Sequence, residues 1–327
     1  MFEHLLAMTL AYLIDRIIGD PKSIPHPVQL IGKAIAFFDR TLNRGNYRRL
    51  KGAISVIFIV LFVTIAVFVV TYLAYQVHYT LGIVVESFLI ASTIAVKGLK
   101  DAAYDVYFPL ASQKLQTARD KVGMIVGRDT EQLSEAEIVR AAVETVAENT
   151  SDGVTAPLFW AFIGGAPLAF MYRTINTCDS MLGYKNEQYA QFGWAAARMD
   201  DLVNMIPSRL TAFVMIIANR PVHPHTRRDC FRILFRDAKK HSSPNSGWLE
   251  AATAALLGVR LGGVNTYQGN VSKRAFLGEP VYALKASHIL HAVSIMHRTV
   301  LVTLAVFWIG GGIFAFAGTW FQSGVFV

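Results

Sequence analysis

Two uninterrupted apolar runs constrain this chain more than any other feature. Gly52 to Val77 and Thr299 to Trp320 are each long enough to cross a bilayer as a helix, which takes about 20 residues. The run from Leu81 to Val96 is shorter, but it also crosses if Lys97 extends its ammonium group to the interface. Charged residues make up only 17% of the chain, below the share typical of soluble domains. We therefore predict an integral membrane protein.

The first 21 residues resemble a secretory signal peptide only in their hydrophobicity. They lack a basic start and a small-residue cleavage site, so they are predicted to be a retained first helix. The following loop is rich in lysine and arginine, which places it in the cytoplasm by the positive-inside rule. Anionic lipid headgroups explain the net charge of +8, because no basic helical stripe interleaved with aromatics indicates nucleic acid.

Residues 97–298 are predicted to form a large cytoplasmic helical region. Two apolar stretches inside it, Val154 to Tyr172 and Leu202 to Ala218, contain residues that interrupt a span. If the second stretch crossed, the strongly basic segment after it would be exported. We predict re-entrant or buried helices here, with a crossing by the first stretch as the alternative. The interrupting residues are Gly164, Gly165, Pro167, Asn204, Pro207 and Arg209.

The expected fold is an all-α, polytopic integral membrane protein with about four spanning helices. We predict a single membrane-embedded domain, with N-terminal spans and a basic loop in residues 1–96 and a catalytic region in 97–298. Residues 299–327 supply the C-terminal span. The two cysteines, Cys178 and Cys230, form no disulfide framework or zinc pattern and are predicted to be buried thiols.

The motif SEAEIVRAAVETVAENTSDG combines a helix start with an acidic helix end. It opens with a capping box, and Glu144 and Glu148 then share one helical face, with Asp152 close behind. Acids at a helix C-terminus oppose the helix dipole unless a cation is bound. Carboxylates suit magnesium, and Asn149 is a further candidate ligand. The alternative is a solvated helix end.

A second polar group lies between apolar stretches, in residues 172–204. Charges beside membrane segments are costly unless they are paired or used. Arg173 and Lys185 are candidates for anion recognition, whereas Arg198 with Asp200 or Asp201 can equally form a structural ion pair. The remaining polar residues of the group are Asn176 and Asp179.

The stretch KKHSSPNSGWLE predicts an anion site. Ser246 is expected to cap a helix that begins near Trp248, and the preceding turn presents amides at the positive end of that helix. An ordinary helix cap is the alternative. The candidate residues are Lys239, Lys240, His241, Ser243, Asn245 and Ser246.

The N-terminal stretch DRIIGDPKSIPHP contains three weaker candidates. Asp15 lies near a membrane end, and Asp20 and His26 flank a rigid proline-rich turn. The alternative for His26 is a packed loop histidine.

Four long blocks together resemble the cobalamin biosynthesis family called CbiB or CobD, adenosylcobinamide-phosphate synthase. The resemblance covers nearly the whole chain. The blocks are DRIIGDP with HPVQLIG, VRAAVETVAENTSDGVTAPLFW, YRTINTCDSMLGYKNEQYAQFGWAAARMDDLVNMIPSRLTA and RDAKKHSSPNSGWLEAATAALLGVRLGG.

This resemblance implies a membrane enzyme of the late corrin pathway. Such an enzyme joins adenosylcobyric acid to 1-amino-2-propanol phosphate, or to its ethanolamine analogue, and uses ATP with Mg²⁺. The resemblance also implies a bacterial or archaeal cell membrane, and other membrane enzymes of the pathway are expected partners. We expect the active site on the cytoplasmic side.

Within that activity, each polar group is expected to have a role. The acidic helix end would hold magnesium, the turn in residues 239–246 would hold the amino-alcohol phosphate, and Arg173 and Lys185 would hold ATP phosphates or the corrin carboxylate. One of Asp179, Asp200 and Asp201 would deprotonate the amine. We expect the three groups to converge at one pocket. A corrinoid or anion transporter and a non-catalytic scaffold for pathway enzymes are the alternative functions.

Overall fold

The computed structural model describes residues 2–19, 26–184, 186–267 and 269–324. Within these residues the protein is almost entirely helical, with one two-stranded antiparallel sheet. The helices are α1 (Phe2–Ile17), α2 (Pro27–Leu42), α3 (Arg48–Val77), α4 (Tyr79–Ala91), α5 (Val96–Ala111), α6 (Leu115–Gly123), α7 (Glu135–Thr150), α8 (Ala156–Leu182), α9 (Trp194–Val203), α10 (Met205–Ala218), α11 (Arg227–Asp237), α12 (Ser246–Leu257) and α13 (Ser287–Gly324), and the strands are β1 (Arg260–Tyr267) and β2 (Asn270–Gly278). A π-helical turn, Ser151–Thr155, joins α7 to α8, and a 3-10 turn, Ala238–Lys240, follows α11.

Four helical stretches among the described residues are long and apolar enough to cross a membrane, and a bent pair of helices, α9 with α10, raises the number to five if it counts as one span. The protein is thus an all-α polytopic membrane protein, as predicted. The four stretches are Arg48–Val77, Tyr79–Ala111, Glu135–Leu182 and Ser287–Phe314.

The choice of spans differs from the sequence prediction in one place. The N-terminal helix α1 has 16 residues, which is short for a span, and it is not among these four stretches. The fourth stretch that is long and apolar enough is instead Glu135–Leu182, in which the π-helical turn continues α7 into α8.

Two glycines break α8, as the sequence predicts. Gly164 and Gly165 have non-helical backbone angles, and Gly165 has a φ of 64°. A Cβ atom at Gly165 would lie 2.0 Å from Oε1 of Glu86, so only glycine fits this position. The predicted interruption near Asn204 is also present, since α9 ends at Val203 and α10 begins at Met205. Whether residues 154–172 re-enter or cross stays a prediction.

The chain divides into two compact units. The first unit comprises residues 1–95, 154–203 and 303–327, and the second comprises residues 96–153 and 204–302. In the first unit, α3 packs against α2, α4, α8 and α9, and α1 packs against α4 and α8. The single-domain organisation stays a prediction.

The second unit is built around α12. All twelve residues of this helix are buried, and it packs against α7, α10, α11 and both strands. The strands pair from Arg260 opposite Gly278 to Tyr267 opposite Asn270. This hairpin was not predicted from the sequence, which assigned the whole region to helices.

Two smaller sequence predictions are confirmed. The Ser134 hydroxyl accepts a hydrogen bond from the Glu137 amide at the start of α7, and the Glu137 carboxylate accepts one from the Ser134 amide, which makes the capping box. Cys178 and Cys230 are both buried free thiols.

Candidate functional site

Glu144 ties the end of α7 to the β-hairpin. Nη2 of Arg128 donates to its Oε2 at 2.5 Å, and the amide of Gly262 donates to its Oε1 at 2.8 Å. Nε of Arg140 lies 4.0 Å from the same Oε1. Glu144 is 4% exposed, so this carboxylate is a buried ion whose two oxygens are both bonded within the protein.

The two arginines extend this network along β1. Nη2 of Arg140 donates to the carbonyl of Val264 at 2.9 Å and to Oδ1 of Asn265 at 2.8 Å. Nη1 of Arg128 donates to the same Oδ1 at 2.9 Å. The network fixes the position of the hairpin against α7, and therefore the position of the next acid on the helix.

That next acid, Glu148, meets the start of α12. Oγ of Ser246 donates to Oε1 of Glu148 at 2.7 Å. Ser246 Oγ also lies 3.1 Å from Oγ of Ser243, so Ser243 belongs to the same hydrogen-bonded group. Two of the three polar groups predicted from the sequence, the acidic helix end and the turn in residues 239–246, are therefore in direct contact.

The cap of α12 differs from the prediction. The helix begins at Ser246 rather than near Trp248, and its N-cap is Asn245, whose side chain makes no capping bond. Ser243 satisfies the free amides at this helix start instead, because its Oγ accepts hydrogen bonds from the amides of Asn245 at 3.3 Å and Ser246 at 3.2 Å. The prediction that Ser246 caps the helix was wrong, since its hydroxyl is directed to Glu148.

The turn is held on its inner side by His241. Nδ1 of His241 accepts a hydrogen bond from the amide of Ser243 at 3.0 Å, and its Nε2 lies 3.5 Å from Oε1 of Glu250. Glu250 is 1% exposed. Burial raises the pKa of Glu250 well above its usual value, and the nearby charges of Glu144 and Glu148 raise it further. Burial also lowers the pKa of His241, with a further contribution from Arg274.

The two lysines of the turn are both exposed, and Nζ of Lys240 donates to Oδ1 of Asp237 at 2.6 Å. Asp237 also accepts hydrogen bonds from Arg236 and from the amide of Gly278. Burial alone would raise the pKa of Asp237, but the bonds from Arg236 and Lys240 outweigh it and lower the pKa to about 2.

Helix α10 contributes residues that the sequence did not assign to the site. Nη1 of Arg209 donates to Oδ1 of Asn245 at 3.2 Å, and Oγ of Ser208 donates to the same atom at 3.3 Å. The guanidinium of Arg209 also lies over the ring of Trp248, 5.0 Å from its centroid. Arg209 therefore places a positive charge beside the turn.

Arg128 and Glu250 were also missed. The sequence does carry a signal for Glu250, because it lies four residues after Ser246 and shares its helical face. Nothing in the sequence around Arg128 indicates its partner, which lies 16 residues further on.

The third polar group lies in the first unit. Nδ2 of Asn176 donates to Oδ1 of Asp200 at 3.2 Å, and Arg198 forms the predicted ion pair with Asp201, at 3.5 Å on the surface. Arg173 and Asp179 lie on α8, and Lys185 falls outside the described residues. Convergence of all three groups at one pocket stays a prediction.

The N-terminal candidates are also in the first unit. His26 is the N-cap of α2, and its Nδ1 accepts from the amide of Val28 at 3.3 Å, which agrees with a packed loop histidine. Asp15 is buried on α1, and Asp20 falls outside the described residues.

The magnesium prediction rests on Glu144, Glu148 and Asp152. Among the described residues, no group of three or more His, Cys, Asp or Glu side chains is arranged to hold a metal ion. Asn149 uses its side-chain amide to donate to the carbonyl of Thr145 at 2.9 Å. Magnesium bound with a nucleotide takes most ligands from phosphate and water, and needs only one or two carboxylates. Glu148, half-buried beside the turn, fits that requirement better than Glu144.

Comparison with known proteins gives the family. The family model described as CobD/Cbib protein matches residues 8–296. A cobalamin biosynthesis protein CobD from Halalkalibacterium halodurans is 53% identical over 313 residues, which cover 95% of this chain and 98% of that protein. The CobD protein of Geobacter metallireducens is 44% identical, with 90% and 93% covered. The cobalamin biosynthesis protein CbiB of Salmonella typhi is 41% identical, with 93% and 96% covered.

No solved structure matches the chain. The family model and these relatives each span most of its length, including the residues that form the contact between α7 and α12. This chain therefore belongs to the CobD/CbiB family of cobalamin biosynthesis proteins.

Proposed function

We propose that this protein is an amide-forming ligase of cobalamin biosynthesis. It joins the carboxylate of adenosylcobyric acid to the amine of (R)-1-amino-2-propanol O-2-phosphate, or of ethanolamine phosphate, and consumes ATP. The product is adenosylcobinamide phosphate. The names of the relatives support the pathway, and the residues of the second unit support the chemistry.

The observation that carries this proposal is the hydrogen bond from Ser246 to Glu148. It joins an acid at the end of α7 to a serine-rich turn at the start of α12. A helix N-terminus attracts phosphate, and a carboxylate attracts either an ammonium group or magnesium. The contact therefore brings together the two kinds of group that an amino-alcohol phosphate and ATP require.

Each residue of the contact has a separate task. Forming an amide from a carboxylate is uphill in water, so the carboxylate is first activated by phosphoryl transfer from ATP. Magnesium, when bound with ATP, neutralises phosphate charge, and Glu148 with Asp152 would hold it. The turn, with Ser243 and Ser246, would hold the phosphate of the amino alcohol, and Arg209 adds positive charge beside it.

The first experiment replaces the acid of this contact. Glu148→Gln keeps the shape of the side chain but removes its charge, so we expect kcat to fall by about 100-fold. Purified protein in detergent is assayed for product formation from corrinoid, amine and MgATP. Glu135→Gln, on the exposed first turn of the same helix, is the matched control and should keep the wild-type rate. A wild-type rate for Glu148→Gln would remove the acid from the mechanism.

The second experiment tests the turn. Ser246→Ala removes the hydroxyl that donates to Glu148, so we expect the KM for the phosphorylated amine to rise by about fivefold. The KM for the corrinoid, measured in the same preparation, should change much less. An equal rise in both constants would indicate that Ser246 acts only on the packing of α12.

The same assay separates a ligase from the alternative functions. A transporter needs two compartments, whereas a ligase turns over in detergent solution. A scaffold would show no turnover by itself in that assay.

A further inference from the structure

Glu250 is a buried acid that the proposed chemistry does not use. It lies on α12 one helical turn after Ser246, is 1% exposed, and its Oε2 has no hydrogen-bond partner among the described residues. Its Oε1 lies 3.5 Å from Nε2 of His241, a buried nitrogen that likewise has no hydrogen-bond partner among the described residues. A carboxylate in such a place would leave a charge buried with little compensation, which costs several kcal/mol.

The hydrogen bond of His241 to the turn defines its protonation. Its Nδ1 lies 3.0 Å from the backbone amide of Ser243 and 3.3 Å from the carbonyl oxygen of the same residue, and the shorter contact, with the amide, requires a nitrogen that carries no proton. A neutral imidazole with that bond has its proton on Nε2, the atom that faces Glu250. The His241 side chain is 7% exposed, and this burial disfavours a second proton on the ring.

The charged groups around Glu250 favour its neutral form. The negative charges of Glu144 and Glu148, both on α7, oppose a further negative charge on Glu250. Arg274 on β2 and Arg128, from the loop before α7, act in the opposite direction. Arg128 is already bonded to Glu144, so much of its charge is compensated there.

We propose that Glu250 and His241 form a buried pair of uncharged groups that holds the turn in residues 241–246 in the shape that binds a phosphorylated substrate. Glu250 accepts the Nε2 proton of His241, and His241 in turn holds the amide of Ser243. Glu250 is thus a positioning residue for the phosphate group. This role rests on the proposed function of the turn, whereas the uncharged state of the pair does not.

The tight packing of the turn explains how such a pair controls its shape. A Cβ atom at Gly247 would lie 2.2 Å from the carbonyl oxygen of Ala238 and 2.6 Å from Cβ of His241. His241 is therefore packed closely at its Cβ against the first turn of α12, and the bond that its ring makes with Ser243 acts directly on the turn.

The first experiment measures the ring directly. Full-length protein with ¹⁵N-labelled histidine is studied by NMR in detergent, and the His241 signals are assigned by their loss in His241→Gln. We expect a neutral ring with the proton on Nε2 throughout the range of about pH 6 to 8 in which a free imidazole titrates. Imidazolium signals at about pH 7, or a proton on Nδ1, would overturn the proposal, since either means a charged pair or a different bond to Ser243.

The second experiment uses two substitutions of Glu250. Glu250→Gln is neutral and keeps an oxygen that accepts from His241, so we expect the KM for the phosphorylated amine within about twofold of wild type. Glu250→Leu has no acceptor, and we expect that KM to rise about tenfold with the corrinoid KM unchanged. If Glu250→Gln is as impaired as Glu250→Leu, the carboxyl group acts as an acid or base and the proposal fails.

A binding measurement separates this result from the ligase proposal. Hydrogen–deuterium exchange at the amides of Ser243, Asn245 and Ser246 is followed with and without inorganic phosphate. We expect phosphate to slow exchange in wild type and Glu250→Gln, and not in Glu250→Leu. Slowed exchange in a protein without ligase activity would overturn the ligation and keep the positioning role. Equal slowing in all three proteins would overturn the positioning role.

Discussion

Glu86 of the first unit and Glu250 of the second unit are equally buried, each 1% exposed, but their surroundings differ. Glu86 accepts from the hydroxyl of Tyr75 at 2.6 Å and from the amide of Ala166 at 3.1 Å, and it lies 2.8 Å from Nδ1 of His4. Glu250 has one distant partner and one oxygen without any among the described residues. Both carboxyl oxygens of Glu86 therefore have hydrogen-bond partners, whereas Oε2 of Glu250 has none among the described residues.

This difference separates a structural acid from one placed for function. Ala166 is the first residue after the glycine break in α8, so Glu86 binds the free backbone amide that the break creates. In the apolar surroundings of a spanning helix, each polar group must be satisfied inside the protein. The second unit also satisfies Glu144 in full, by arginine and a backbone amide. Among the buried acids described in that unit, Glu250 is the one with an oxygen that lacks a hydrogen-bond partner, which is why we assign it a role.

The strongest test of the structural acid is Gly165→Ala. The new Cβ would lie 2.0 Å from Oε1 of Glu86 and 2.8 Å from Cε1 of His4, at a positive φ. Either the backbone at the glycine break in α8 or the side chain of Glu86 must move, so we expect the free energy of unfolding to fall by about 4 kcal/mol or more. Thermal unfolding in detergent measures it. Gly310→Ala is the control, since no atom lies within 4 Å of its added Cβ. Equal melting temperatures for the two variants would contradict the structural role of the break.

The next test removes a hydrogen-bond partner of Glu144, so that this buried acid, like Glu250, has an oxygen without a partner. Arg128→Met removes the guanidinium at 2.5 Å, and we expect unfolding to become easier by about 3–5 kcal/mol, the usual effect of breaking a buried ion pair. Chemical unfolding of the full-length protein in detergent measures this. Lys121→Met removes a similar bond, at 2.9 Å to Asp105, but on the surface, so its effect should stay below about 1 kcal/mol.

A double variant sharpens the same test. Adding Glu144→Gln to Arg128→Met removes the charge left without its partner, so part of the lost stability should return. If the double variant is as unstable as the sum of the single changes, Arg128 and Glu144 do not act as a pair.

Patterns along the chain predict its local structure well. The apolar run from Gly52 to Val77 lies within the candidate span Arg48–Val77, and its outward side chains, such as Phe62, are exposed as expected for contact with lipid. The glycine break and the capping box are also local, because a few neighbouring residues determine them. Helix α2 was missed, since its basic residues indicated only the side of the membrane.

The prediction of the site was incomplete, because the site depends on contacts between residues that are far apart in the chain. The acidic helix end and the serine-rich turn were both recognised as polar motifs, but Ser246 and Glu148 are 98 residues apart in the chain. Their contact follows from the packing of α7 on α12, which no periodicity specifies. The same is true of the hairpin, whose amide at Gly262 completes the bonding of Glu144 and leaves Glu148 as the acid beside the turn.

The smallest expected effect comes from Asp237, whose protonation is the opposite of that of Glu250. It is 1% exposed and bonded to Arg236 and Lys240, so it keeps its charge, with a pKa lowered from 3.8 to about 2. Because the folded pKa is the lower one, this stability is present above about pH 4 and is lost as the pH falls towards 2. The free-energy difference between wild type and Asp237→Asn should therefore shrink by about 2 kcal/mol over that interval. The corresponding free-energy difference for Glu250→Gln should not shrink there, because we propose that Glu250 is already uncharged at neutral pH. If the free-energy differences from wild type shrink equally for Asp237→Asn and Glu250→Gln, general acid unfolding determines the pH dependence, and the bonding of the individual acid does not.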